Sequence, residues 1–140
     1  KRAWDNNLKE AKYHPDVYFS TIRRYLLKNV PRYFRWHVSG DILNQGYLDQ
    51  MINIANDYYF VRFVVFTKRY NLDFSGAPDN LAIILSVWPG VPIPDLGFPL
   101  AFVDMEEETR AFNTFYCMDD CESCRACWDL GDKNVLLRRH

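Results

Sequence analysis

Val61-Arg62-Phe63-Val64-Val65-Phe66-Thr67 is the stretch on which the fold turns. It is almost unbroken Val and Phe without apolar–polar alternation, so it reads as a strand covered on both faces rather than on one. Leu81-Ala82-Ile83-Ile84-Leu85-Ser86-Val87 repeats the trait. Such strands belong to parallel sheets, whose neighbours are joined by long crossovers, usually helical. Pro15 to Asn29 supplies one helical pattern, with Val17, Phe19, Ile22, Tyr25 and Leu26 at helical spacing, Asp16 near the start and Pro31 just past the end. Tyr47 to Tyr58 supplies another, with Leu48, Met51, Ile52 and Ala55 on one face. Tyr33 to Ser39, aromatic and β-branched up to Gly40, predicts a strand, and Leu100 to Asp104 a further short one. Pro89, Pro92, Pro94 and Pro99, with Gly90 and Gly97, make Trp88 to Pro99 an irregular loop. The expected fold class is therefore α/β: parallel βαβ units over residues 1–104, with an irregular Cys-rich segment over 105–140 packed on them in a single domain.

A chain of 140 residues, 49% hydrophobic, can bury a real core. No apolar run reaches membrane length and no signal-peptide pattern occurs, which predicts a cytoplasmic protein with no membrane partner. The opening Lys-Arg-Ala-Trp-Asp-Asn-Asn-Leu starts inside a helical pattern, so an upstream segment is expected. Net charge is −1 but uneven: residues 1–35 carry nine basic and three acidic side chains, and 101–129 carry eight acidic and two basic. The basic N-terminal region is thus a candidate surface for nucleic acid or another acidic partner, beside the plainer reading of a solvated helix face.

All four cysteines, Cys117, Cys121, Cys124 and Cys127, fall within eleven residues. Disulfides at that spacing would close small strained rings, whereas tight turns can aim closely spaced thiolates at one zinc ion or one [4Fe–4S] cluster. A helix over 117–127 would instead bury the thiols as apolar side chains, but Asp119, Asp120 and Glu122 between them argue against such a face. The C-x3-C-x2-C-x2-C spacing does not choose the metal. Its first three cysteines share the spacing of radical SAM enzymes, a coincidental match here, since in those enzymes the motif precedes the barrel.

In parallel α/β folds ligands bind beyond the carboxyl ends of the strands. That rule points to Ser39, Gly40 and Asp41, to Lys68 and to Ser86 as candidate ligand-binding residues. Gly40 permits a sharp turn, Asp41 can accept from an amine or hydroxyl, and Lys68 can hold an anion. Asp41 as a local cap and Lys68 as a solvated charge are the plainer alternatives. His37 reads as a core histidine before it reads as a base. No Gly-rich phosphate loop, nucleophile elbow or His-Glu-x-x-His pair is present.

Arg32-Tyr33-Phe34-Arg35-Trp36-His37-Val38-Ser39-Gly40-Asp41, Phe63-Val64-Val65-Phe66-Thr67-Lys68-Arg69, Leu85-Ser86-Val87 and the cysteine run ending Cys127-Trp128 together resemble the bacteriophage gene product 88 family. The resemblance implies a distant relation to radical SAM barrels, with Ser39-Gly40-Asp41 where those proteins grip the SAM amino group. It also implies an upstream cysteine motif, absent from these 140 residues, so S-adenosylmethionine is expected as a cofactor only together with such a motif. The expected function is that of a metal-binding phage protein in the host cytoplasm, acting by radical chemistry on a small molecule or host macromolecule if an upstream cluster motif exists. The alternative is a non-enzymatic phage protein with a structural metal knuckle that binds or inhibits a host factor.

Overall fold

The computed structural model describes residues 2–103 and 113–137, the side chains of Arg2 and Trp4 apart. Six strands form one all-parallel sheet: β1 (Tyr33–Arg35), β2 (Arg62–Thr67), β3 (Leu81–Val87), β4 (Leu100–Val103), β5 (Thr114–Tyr116) and β6 (Asn134–Leu137). Their spatial order is β1-β2-β3-β4-β6-β5. The first four strands stand in chain order, and then β6 inserts between β4 and β5. The C-terminal region is accordingly not irregular throughout, since it contributes two strands to the sheet.

The helices are α1 (Arg2–Tyr13), α2 (Pro15–Asn29), α3 (Gln45–Asp57) and the single-turn α4 (Cys121–Cys124), followed by a 3-10 turn at Ala126–Trp128. Pro15 at the first turn of α2 has no N–H to waste there. Val30 ends the helix in the left-handed region (φ 43°), returning its N–H to the Leu26 carbonyl. At α3, the Asn44 side chain accepts from the Tyr47 N–H at 2.9 Å and caps the start. The Asn80 side-chain amide donates to the carbonyls of Ala55, Tyr58 and Val61, so one residue gathers the end of α3 and the start of β2.

Both faces of the central strands are covered, as their continuous apolar sequences require. Phe63, Val65, Leu81, Ile83 and Leu85 look toward α2 and α3 and pack with Phe19, Leu26, Trp36, Leu48, Met51 and Ile54. Val64, Ile84 and Ala101 look the other way, onto Trp128, Leu130 and Val135, with Cys117, Cys121 and Cys127 at the margin. Among the described residues, only the β1–β2 crossover carries a long helix. From β2 to β3 the chain crosses without one, because Phe74, Leu72 and Tyr70 fill the same face themselves and Gln45 of α3 exchanges two hydrogen bonds with the Asp73 backbone.

The boundaries at Leu81–Val87 and Pro15–Asn29 fall where composition and periodicity, respectively, put them. The strand expected over Tyr33 to Ser39 stops at Arg35 instead, because His37 adopts a left-handed backbone (φ 50°) that no strand can contain. Asp104 lies outside the described residues. Among those described, no helix is long and apolar enough to cross a membrane.

Candidate functional site

At the carboxyl rim, Asp41 is a brace. One carboxylate oxygen accepts from the Ile42 N–H (2.7 Å) and the Thr67 hydroxyl (2.6 Å), the other from the Lys68 N–H (2.8 Å). Arg69 donates to the Leu43 carbonyl at 3.0 Å, and the Tyr70 hydroxyl donates to the Ser86 carbonyl. The loops after β1 and β2 and the end of β3 are thereby tied into one edge. Asp41, Lys68 and Ser86 do meet on a common rim, as parallel strands dictate. Their engaged groups are mostly spoken for: the Asp41 carboxylate by three donors, the Ser86 carbonyl by Tyr70, and the Lys68 ammonium by the Trp88 ring, 3.8 Å from its centroid.

Beside the rim lies a cleft of about 570 Å³ between α1, α2, α3 and the loop after β1. Ser39, Gly40 and Asp41 line it together with Tyr18, His37 and Tyr47, while Lys68 and Ser86 stand outside. Gly40 takes φ 96°, open to glycine and strained for anything else. His37 Nε2 and the Tyr47 hydroxyl are 2.8 Å apart, and Tyr47 in turn donates to the Tyr18 hydroxyl at 2.9 Å. With the Tyr47 proton spent on Tyr18, His37 donates from Nε2, and its buried Nδ1 keeps a lone pair without a partner. Burial also raises the Tyr47 phenol far above its ordinary value, with Tyr18 adding to the effect.

Burial lowers the His37 pKa below its ordinary 6.5, against a smaller raising influence from Asp41. Below pH 6.5 the unfolded chain therefore binds more protons at this residue than the folded one. The contribution is whole above pH 6.5 and drains away as pH falls toward the folded-state value. His37→Asn, which tolerates the left-handed backbone, is expected to flatten that part of the stability–pH curve in denaturation series; an unchanged slope would remove His37 as its source.

The second grouping is on the opposite face. The chain leaves β5 at Tyr116, crosses the sheet through α4 and the 3-10 turn, and reaches β1, where the Trp128 indole N–H donates to the Phe34 carbonyl at 3.2 Å. Asp120 caps α4 by accepting from the Ser123 N–H at 3.2 Å, and Arg125 closes it in the left-handed region (φ 54°). These turns make all four cysteines half-buried free thiols in one neighbourhood. The Cys127 thiol is pushed up to about 11, first by burial and then by Cys117, Cys121 and Cys124, with Arg35 pulling the other way. Burial likewise raises Cys117. Arg35 reaches in from β1, donating from Nη1 to the Cys121 sulfur at 3.3 Å. The donor set suits zinc or an iron–sulfur cluster by type. Among the described residues, however, no three His, Cys, Asp or Glu side chains are arranged to hold an ion as they stand.

The sequence profile of the gene product 88 family matches residues 1–88 of the chain. The chain belongs to this phage gene product family. No curated protein and no solved structure matches it significantly. The gene product 88 match runs from α1 through β3 and so includes the His37–Asp41 loop, the Thr67–Lys68 strand end and Ser86. It ends before the cysteine segment, which the resemblance read from the sequence includes, and it does not itself show radical SAM character. Sequence reasoning passed over Arg35 and the Tyr18–Tyr47 pair. Arg35 had a signal, an odd-numbered charged position in a strand otherwise aromatic, and the tyrosines had none apart from their helical spacing.

Proposed function

We propose that this is a metal-binding phage protein whose segment Cys117, Cys121, Cys124 and Cys127 holds zinc or an iron–sulfur cluster. The observation that supports it is the convergence of four free, half-buried thiols on one patch of the sheet, facing the Arg35 guanidinium. Crowded neutral thiols gain from a cation that replaces their protons, and in such sites metal binding and local folding are one free energy. The bound group would supply a cross-link for the segment or, as a cluster, a site of electron transfer. Protein purified without oxygen and analysed for zinc, iron and acid-labile sulfide tests the reading. About one metal centre per chain is expected, and a metal-free, folded protein would overturn it.

Descent from radical SAM barrels is the finer reading. Four parallel strands in chain order, ending in a shared rim, favour it. The insertion of β6 and the three donors already on the Asp41 carboxylate weigh against a direct copy of the SAM-gripping turn. On this reading SAM binds only a chain that also carries an upstream cysteine motif; calorimetric titration of such a chain without heat change would leave the cysteine segment as an interaction or structural module.

A further inference from the structure

On the cysteine-bearing face, at β1, two arginines from distant parts of the chain flank one tyrosine, and a third lies in the same cleft. Arg32 and Arg125 set their guanidinium carbons 5.7 and 4.7 Å from the centre of the Tyr33 ring. Arg35 lies with its own 5.0 Å from the Phe66 ring, its Nη1 on Cys121 and its Nε buried without a partner. Trp128 meets Tyr33 edge-on at 5.6 Å and completes the wall. These residues, with Cys121 and Glu122, line an open cleft of about 430 Å³, within the roughly 300–1,000 Å³ range of small-ligand sites.

None of the three guanidinium groups is paired with a carboxylate among the described residues. Glu122 is the one acid in the lining, and it is its backbone carbonyl that takes the Arg125 Nε, at 2.9 Å. Three cations against one exposed carboxylate leave the cleft strongly positive. The aromatic rings hold the guanidinium planes in place, but cation–π contact offsets only part of the mutual repulsion. A phosphate oxyanion would relieve it and meet several pre-set N–H donors at once.

We propose that this cleft binds the phosphate of a nucleotide, either free or within a single strand, with the Arg32 and Arg125 guanidinium groups beside Tyr33 and the Trp128 ring as partners for the base. The charge of Arg32 and Arg35 belongs to the N-terminal basic excess of the sequence, but the site is made only where the acidic C-terminal segment brings Arg125 across to them. Arg32 and Tyr33 are positioned by β1 and Arg125 by its left-handed turn, while Arg35 is also held by Cys121, so the site shares one wall with the cysteine segment.

Fluorescence anisotropy with a labelled oligothymidylate of about twelve nucleotides, a length within single-strand site sizes, tests the proposal at low and moderate salt. Arg32→Gln and Arg125→Gln, both at exposed side chains, are each expected to weaken binding about tenfold and to make the salt dependence shallower by about 0.7 per arginine. Arg24→Gln, on α2 away from the cleft, is expected to leave binding unchanged. Displacement of the oligonucleotide by a nucleoside triphosphate at equal phosphate concentration would identify the free nucleotide as ligand; displacement only by unlabelled oligonucleotide would identify the strand. Absence of binding by the unaltered protein, or equal loss in the Arg24 variant and the cleft variants, overturns the proposal.

Discussion

Trp36→Ala is expected to lower the unfolding free energy by about 3–5 kcal/mol, the range for emptying a large aromatic from a packed core. Trp36 is 2% exposed and touches rings on three sides: Phe34 at 5.1 Å, Phe63 at 6.2 Å and Phe19 at 6.4 Å between centroids. It thereby joins α2, β1 and β2, and its backbone N–H continues the pairing with β2 through the Val64 carbonyl at 2.9 Å. Domains of this size are stable by only about 5–15 kcal/mol, so the loss is a large share of the whole. The indole N–H is buried without a partner. Trp36→Phe therefore discards an unsatisfied donor along with volume, and is expected to cost distinctly less than the alanine change. Urea denaturation of both variants checks the pair. An alanine cost below about 1 kcal/mol would show that the site relaxes instead of leaving a cavity.

Cys121→Ser combined with Cys124→Ser is expected to cut metal retention by at least a hundredfold. Apparent binding free energies in four-ligand thiolate sites are about 10–16 kcal/mol, and removing two of four ligands takes away far more than the 2.7 kcal/mol that a hundredfold represents. Cys121 also accepts from Arg35, so its loss leaves a guanidinium beside a weaker acceptor on a half-buried surface. Chelator competition against the unaltered protein measures the change. If the thiols serve only as packing, metal content will be the same in both proteins, and stability will fall by about 1 kcal/mol, as for trimming a small apolar contact.

How much of this was legible in advance depended on length and on locality. Leu81–Val87 and Pro15–Asn29 are long enough for periodicity and composition to mark them, and proline and polar residues mark their ends. Thr114–Tyr116 and Asn134–Leu137 are strands of three and four residues, too short to carry a pattern, and they exist because the sheet offers them partners. Tyr33 to Ser39 was read too long because its composition is strand-like throughout, while the constraint that stops it, the left-handed His37 seated between Tyr47 and the rim, is tertiary. Asp41 was legible as a strand-end acid but not as a brace, since its donors lie at Thr67 and Lys68. The arginine cleft joins residues about ninety positions apart, and only the opposite charge bias of the two ends of the chain hinted that they would meet.

The seating of β6 bears on how the protein is made. This strand, the last of the described chain to leave the ribosome, occupies an interior position between β4 and β5. β5, synthesised earlier, has no place in the sheet until β6 arrives, because its pairing is with β6. The segment bearing the four cysteines is the loop that joins these two strands, so the thiols are translated before the surface that gathers them is complete. During synthesis they wait in an unpaired stretch of chain, and a product ending near residue 133 would have only four of the six described strands paired and its thiols open to whatever metal or oxidant the cell presents.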